Sequence, residues 1–181
     1  ALVSIYVPVF NHEKYVTQAL DSILMQKTEY SYEVLVGEDC STDNTRAVLK
    51  DWEEAHPDPR FTIFYREQNM YRMPVSNGKD LKNRCKGKYI ICLEGDDFWT
   101  DPQKLQKQVS FLEHHPEYIA VAHNCTVVGA DDLPNGETYP QCTDEEYTMR
   151  HFFSEIMPGQ YTTLLSRNYL TDPTIDTTLL E

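Results

Sequence analysis

Only seven glycines occur in 181 residues, and none form a G-x-G-x-x-G or G-x-x-x-x-G-K-[ST] pattern. A glycine-lined seat for phosphates at a helix N-terminus is therefore absent. Cationic side chains are scarce too: 16 Lys and Arg stand against 29 Asp and Glu, a formal net charge of −13. That balance excludes nucleic acid and an anionic membrane surface as main partners. No C-x-x-C pair occurs among Cys40, Cys85, Cys92, Cys125 and Cys142. Neither a zinc site nor a disulfide framework is expected, and reduced thiols fit a cytoplasmic setting. In that setting the Asn124-Cys125-Thr126 sequon carries no weight. Neither a signal peptide nor a membrane span is read, and there is no internal repeat.

What is present reads as one α/β domain, long enough for a core. Ser4 to Val9 has strand character and breaks into a loop near Pro8, which cannot donate to a central ladder and is expected at the strand end. Asn11 is expected to cap a helix with Glu13 in its first turn, and Val16, Leu20, Ile23 and Leu24 follow at helical spacing. Tyr32 to Gly37 is a second strand, closed by Glu38-Asp39. A helix with Thr45, Val48, Trp52 and Ala55 on one face comes next, then a strand over Phe61 to Tyr65. A polar loop and a short helix over 79–86 lead to the strand ending at Leu93. Asp101 and Pro102 are expected to start a helix whose inner stripe is Leu105, Val109 and Leu112. Phe98 and Trp99 are expected as core plugs. One strand is expected over Ile119 to Val128, with Asp131-Asp132 in a solvated turn. A capping box at Thr143 to Glu146 precedes a short helix with Tyr147, Met149, Phe152 and Phe153, and a last strand spans Tyr161 to Ser166.

The sharpest chemical signal is Lys88-Tyr89-Ile90-Ile91-Cys92-Leu93-Glu94-Gly95-Asp96-Asp97, an apolar run that ends in three carboxylates within four residues. In an open α/β sheet, ligands bind at that end of the strands. Hard oxygen donors this close together favour Mg²⁺ or Mn²⁺, shared with substrate phosphates. A solvated acidic turn capping the next helix is the competing reading. With no phosphate loop, a carboxylate-held cation is the remaining way to neutralise a diphosphate, which points to a nucleotide-diphosphate donor. Seven basic residues between Arg66 and Lys88 form a cationic stretch. A solvated helix face and a contribution to diphosphate or acceptor binding both remain open for it.

The ordered blocks Val3–Asn11, Ala19–Gln26, Gly37–Thr45, Gly87–Ile90 and Glu94–Leu105 resemble those of family 2 glycosyltransferases with the GT-A fold, across roughly residues 3–125. The resemblance suits bacterial members that build surface polysaccharides. It implies a Rossmann-like three-layer α/β/α sandwich with a mostly parallel sheet, as a single domain over 1–181. The donor half would be about 1–125, and the acceptor half 126–181, incomplete. It further implies a metal-dependent, inverting transfer of a sugar from a UDP-sugar or other nucleotide-diphosphate donor to a hydroxyl on a carbohydrate or lipid-linked acceptor. The setting implied is cytoplasmic or peripheral at the inner face of the membrane.

By the same resemblance, Asp96 is the first ligand for Mg²⁺ or Mn²⁺, with Glu94 and Asp97 close behind. Glu94-Gly95-Asp96 stands where the family has D-x-D, and Glu in the first place makes it a ribose or water-mediated metal contact. Asp39 hydrogen-bonds a uracil-type base, Glu38 supports it, and Pro8 and Asn11 line the nucleotide. Asn69 matches a recurrent loop asparagine, whereas Lys79-Asp80 replaces the usual Arg-Asn pair. A general base is sought in the acceptor half, where Asp172, Asp176 and Glu181 are positional candidates. The family's late histidine has no counterpart, since His151 lies too early. A non-catalytic nucleotide-sugar-binding module and a sugar nucleotidyltransferase are the alternatives. The latter normally carries a glycine-rich N-terminal loop unlike Pro8-Val9-Phe10-Asn11.

Overall fold

Alternation along the first strand sets the architecture. Val3, Ile5, Val7 and Val9 are buried toward one face and Tyr6 toward the other. A strand covered on both faces belongs at the centre of a parallel sheet. The computed structural model describes residues 1–129, 131, 133–139, 146–148 and 159–171. Its strands are β1 (Val3–Val9), β2 (Tyr32–Glu38), β3 (Phe61–Tyr65), β4 (Tyr89–Cys92), β5 (Ala120–Val121), β6 (Cys125–Val128), β7 (Pro134–Tyr139) and β8 (Leu165–Arg167). Its helices are α1 (Val16–Leu24), α2 (Thr45–Ala55), α3 (Asn77–Arg84) and α4 (Lys104–His114). Six strands form one sheet in the order β3-β2-β1-β4-β8-β5, with β1 to β4 parallel and β8 antiparallel to both neighbours. β6 and β7 form a separate antiparallel pair.

Helices α1, α2 and α4 cover one face with Val16, Leu20, Ile23, Leu49, Trp52, Leu105, Val109 and Leu112. Helix α3 covers the other, where Leu81 and Cys85 meet Tyr6, Leu35, Ile90 and Cys92. The result is the expected three-layer α/β/α sandwich. Each fully buried aliphatic side chain contributes on the order of 1.5–3 kcal/mol. Side-chain hydrogen bonds tie the helices together: Trp52 Nε1 donates to Asp21 Oδ1 at 2.9 Å, and Gln26 links the end of α1 to the start of α4.

Several boundaries differ from expectation, for identifiable reasons. Asn11 does not cap α1, which starts at Val16. Asn11 takes a left-handed φ of 57°, and its Oδ1 accepts from the Thr42 N–H at 2.8 Å. Its side chain is thus spent on the loop after β2. Asp101 does not cap α4, which starts at Lys104. The Leu105 N–H is taken instead by Gln26 Oε1 at 3.1 Å, while Asp101 Oδ1 accepts from the Gln103 N–H in the preceding turn. The inner face of α2 is Thr45, Leu49 and Trp52, with Ala55 exposed. The strand expected over Ile119 to Val128 is two: β5 stays in the main sheet and β6 leaves it for the hairpin. Of the expected last strand, Tyr161–Thr163 is a 3₁₀ turn, and β8 follows. Pro8 lies within β1, but past the end of the β1/β4 ladder, which stops at Tyr6. Trp99 is buried as expected, whereas Phe98 is half-buried. Asp131 is exposed; Asp132, Cys142, Thr143, Met149, His151, Phe152 and Phe153 lie outside the described residues.

Gly37 shows how closely α3 presses on the sheet. A Cβ there would overlap Asn77 Oδ1 and lie 2.9 Å from Leu81 Cδ1. Asn77 cannot yield freely, because its amide donates to the Gly37 carbonyl at 2.7 Å and its oxygen accepts from Arg66 Nε at 3.1 Å. Gly37→Ala should therefore cost about 1–3 kcal/mol. Urea denaturation should show a lower midpoint with an unchanged slope, and an unshifted midpoint would refute this packing.

Candidate active site

The strand order reverses at β1. Strands β2 and β3 step away on one side, and β4, the next strand, returns to the other. That switch point opens a crevice at the carboxyl ends of β1, β2 and β4. A cavity of about 290 Å³ occupies it, walled by Pro8, Phe10, His12, Asp39, Tyr71 and Glu94 among others. A second cavity, about 1140 Å³, lies beside it, with Asp97, Phe98, Trp99, Lys104 and Gln108 in its wall. Asp96 lines both.

At the end of β2 the two acidic residues do different things. Glu38 is fully buried, so it does not line the cavity as a nucleotide contact. Its carboxylate accepts from the Ser41 N–H at 2.6 Å and from Arg46 Nε at 2.5 Å. A buried carboxylate demands such partners, and here they fix the loop that carries Asp39. Asp39 does line the cavity, 7% exposed. Its Oδ1 accepts from the Met70 N–H at 2.7 Å, and its carbonyl accepts from Asn69 Nδ2 at 3.0 Å. Burial raises its carboxyl above the ordinary range, opposed by the Met70 N–H and the Arg66 charge.

At the end of β1, Pro8 lines the cavity, and its carbonyl accepts from the Gly95 N–H at 3.2 Å. Asn11 lies off the cavity wall and acts through the loop, its N–H donating to Ser41 Oγ at 3.0 Å. His12 was not singled out by the sequence reading. It lines the cavity, with Nε2 3.7 Å from Asp96 Oδ2. Gly95 permits this: a Cβ there would stand 2.7 Å from His12 Nδ1.

Glu94, Asp96 and Asp97 follow β4. Glu94 faces the small cavity and Asp97 the large one. Partial burial and the neighbouring Asp96 charge push the Glu94 carboxyl up. Burial, then Asp96 and Glu94, push Asp97 up to about 6. Among the described residues, no three His, Cys, Asp or Glu side chains form a ready-made ion cage. The expected trio therefore does not converge as a three-ligand set, because the chain turns Glu94 and Asp97 into different cavities. One or two carboxylates completed by phosphate oxygens is nevertheless the ordinary mode for Mg²⁺, and the mutual repulsion recorded here is what a cation relieves. The site fits a divalent cation held jointly with a ligand.

Phe10, Tyr71 and Lys104 also escaped the sequence reading. Phe10 and Tyr71 are exposed aromatics on loops, where no periodicity marks them. Lys104 sits 4% exposed in the wall of the large cavity, its Nζ 4.7 Å over the Trp99 ring and 2.5 Å from Gln108 Oε1. Burial lowers its ammonium to about 7. Nothing in the local sequence pattern marks Lys104, which is followed one turn on by the polar Lys107 and Gln108. The base candidates Asp172, Asp176 and Glu181 lie outside the described residues.

Comparison with known proteins converges on one family. The profile of Glycosyl transferase family 2 matches residues 4–169. Protein Rv1520 of Mycobacterium tuberculosis is 36% identical over 131 residues, covering 72% of this chain and 37% of that protein. The teichuronic acid biosynthesis glycosyltransferase TuaG of Bacillus subtilis is 35% identical over 111 residues, covering 61% of this chain and 42% of its own. The chain thus spans well under two thirds of the length of these curated relatives. Among solved structures, Staphylococcus aureus TarS in complex with UDP-GlcNAc superposes with a TM-score of 0.65 at 22% identity, covering 93% of this chain and 46% of that one. The mannosyltransferase PcManGT of Pyrobaculum calidifontis, solved with GDP-Man and Mn²⁺, superposes with a TM-score of 0.58 at 25% identity, covering 72% of this chain and 36% of that one. With the GT-A sandwich, the switch-point crevice and the profile match in agreement, this chain belongs to glycosyl transferase family 2.

Proposed function

We propose that this chain takes a nucleotide-diphosphate sugar, of the UDP-sugar class, and passes the sugar to a hydroxyl acceptor with inversion, using Mg²⁺ or Mn²⁺. The observation that carries the reading is the position of Asp96, whose carboxylate borders both cavities. A donor with its nucleotide in the small cavity and its sugar toward the large one would bring its diphosphate to Asp96. The complexes of TarS with UDP-GlcNAc and of PcManGT with GDP-Man and Mn²⁺ support the donor class and the ion. The names of TuaG, for teichuronic acid biosynthesis, and TarS, for poly(ribitol-phosphate), support a role in surface polymer synthesis. A carbohydrate or lipid-linked acceptor is part of the same proposal. Among the described residues, no helix is long and apolar enough to cross a membrane. A cytoplasmic or peripheral inner-face location is part of the same proposal.

Each residue has a task in this reading. Asp39 accepts a hydrogen bond from the ring N–H of the base, and Glu38 holds the loop that presents it. Pro8 lines the nucleotide, and Glu94 accepts from the ribose hydroxyls or from water beside the ion. Asp96 and then Asp97 hold the ion, which supplies Lewis-acid stabilisation of the departing phosphate when bound. A carboxylate of the acceptor half takes the proton of the acceptor hydroxyl. The donor half is about 1–125.

Three outcomes test this. Asp96→Asn keeps the shape and removes a charge, so Mn²⁺-dependent UDP affinity in calorimetry should fall by about tenfold or more, ~1.4 kcal/mol. Unchanged affinity would sink the assignment.

Base reading by Asp39 predicts that UDP binds at least about tenfold more tightly than CDP, whose equivalent ring nitrogen is an acceptor. Asp39→Ala should erase the preference. Equal affinities in the parent chain count against it.

Asp97 supplies the third. Its carboxyl is held near 6 in the folded chain, above the ordinary unfolded value. The folded state therefore binds the proton more tightly. Stability falls as pH rises from about 4 through 6, and above that the whole penalty is in force. Asp97→Asn removes the penalty, so the metal-free protein should melt higher at pH 7.5, by roughly 2–4 °C per kcal/mol regained. At pH 4 the two proteins should melt together. A variant that melts lower at pH 7.5 refutes the repulsion.

A further inference from the structure

Among the described residues, neither ring nitrogen of His12 makes a hydrogen bond, although the side chain is only 21% exposed. Nδ1 is buried with no partner, and Nε2 stands 3.7 Å from Asp96 Oδ2, beyond hydrogen-bond reach. A neutral imidazole carries one donor and one acceptor, so in either tautomer both go unmet, which a histidine kept for internal hydrogen bonding avoids. The backbone that carries the ring is nevertheless fixed. The His12 carbonyl accepts from the Tyr15 and Val16 N–H groups, both at 3.0 Å, and the preceding Asn11 is tied to the loop after β2. Behind the ring, Gly95 leaves space that any side chain would take, since a Cβ there would stand 2.7 Å from Nδ1. The chain thus holds an unpaired imidazole with Nδ1 against Gly95 and Nε2 toward the Asp96 carboxylate, and both residues line the small cavity.

We infer that His12 Nε2 is a ligand of the divalent cation, bound side by side with Asp96 Oδ2. The inference rests on the reading that places the ion at Asp96, and it adds a nitrogen donor from the loop between β1 and α1. The separation suits it. Two donors held at about 2.1 Å from one ion stand at most about 4.2 Å apart, and about 3.0 Å apart at adjacent corners of an octahedron. The observed 3.7 Å lies between these limits, so a small side-chain rotation seats both on one ion. Binding uses the neutral ring, with its proton on Nδ1 and its lone pair on Nε2. Two protein ligands do not close a cage, in keeping with the open arrangement here, and phosphate oxygens and water complete the sphere. A nitrogen donor also sets a preference. Imidazole binds transition-metal ions better than it binds Mg²⁺, so His12 should favour Mn²⁺ over Mg²⁺. The competing role is a protonated His12 that pairs with Asp96 and would have to be displaced by a cation.

Pulsed electron paramagnetic resonance of Mn²⁺ bound with UDP reads the ligand directly. The parent chain grown with ¹⁵N-histidine should show a directly coordinated ¹⁵N nucleus, which the unlabelled uracil cannot supply. His12→Gln places an amide oxygen near the position of Nε2 and should lose that coupling while still binding Mn²⁺. In calorimetry with UDP, its preference for Mn²⁺ over Mg²⁺ should fall by about threefold or more relative to the parent. His12→Ala should bind Mn²⁺ more weakly than the parent. Bound Mn²⁺ without a histidine coupling in the parent overturns the inference and leaves the ion at Asp96 standing, provided Asp96→Asn loses it. A coupling that persists in His12→Gln assigns another histidine and overturns it as well. Tighter Mn²⁺ binding by His12→Ala establishes the ion pair instead. If the parent binds no Mn²⁺ with UDP, the Asp96 reading fails and this inference with it.

Discussion

A carboxylate with no solvent contact sits at the end of β2, and the cavity end of the sheet is arranged around keeping it there. Glu38 takes the Ser41 N–H and the Arg46 guanidinium, and its own carbonyl accepts from the Arg66 N–H at 2.9 Å. Arg46 also donates to the Arg66 carbonyl. One buried charge thereby fixes the turn after β2, the first turn of α2 and the exit of β3. Removing one partner of such a pair typically costs about 3–5 kcal/mol, because the other is left uncompensated. The tight turn places Cys40 at a left-handed φ of 56° and delivers Asp39 to the crevice. The exit of β3 starts the loop that carries Tyr71. Glu38 never touches the small cavity, yet both loops that wall it hang from this residue.

The parts of this arrangement legible in the sequence were those encoded by local pattern. Strands β1, β2 and β4 announce themselves as apolar runs, and the carboxylates at their ends mark the ligand edge of the sheet. The inner stripe Leu105, Val109, Leu112 reads directly as a helix face. The two capping misses share one cause. At Asn11 and Asp101 a residue distant in the sequence upsets the local capping rule. A capping rule assigns Asn11 and Asp101 to the helices that follow them, but Thr42 claims the first and Gln26 supplies the N–H acceptor expected of the second. Glu38 was read as supporting Asp39, and the means of that support, a fully buried carboxylate holding the loop, is what acidity in the sequence does not reveal. The aromatic walls Phe10 and Tyr71 lie on loops, where neither a period of 2 nor one of 3.6 operates.

The cationic stretch of an acidic chain is largely consumed internally. Arg66 and Arg84 both bind Asp80, at 2.6 and 2.8 Å, and Lys88 binds Glu113 at 2.6 Å. Asp80 is held below the ordinary carboxylate value by Arg84, then by Arg66, against its partial burial. Asp80 is the bridge that pins α3 to the end of β3 through Arg66. What faces the small cavity from α3 is its first turn, Asn77 and Gly78, not its basic side chains. The charge that neutralises a diphosphate must come from elsewhere, which strengthens the case for a cation at Asp96.

In the proposed reading, the order of the strands explains why a cation at Asp96 would lie beside the reacting bond. Parallel pairing brings the ends of β1, β2 and β4 to one edge, and the reversal at β1 parts the loops that follow them. Beyond β4 the sheet changes direction, with β8 running antiparallel. The space on that side is therefore bounded not by another β–α loop but by the turn before β8, the start of α4 and the β6/β7 hairpin, which wall the larger cavity. A boundary between two differently built spaces has to fall at the end of β4. Asp96 occupies it because Gly95 lets the chain press against the end of β1, carrying the next residue past His12 to the rim of both. A donor bound as proposed, through its phosphates at that rim, would have its nucleotide on one side and its leaving bond on the other. The partition that the proposed transfer requires would then follow from strand order and one close glycine contact.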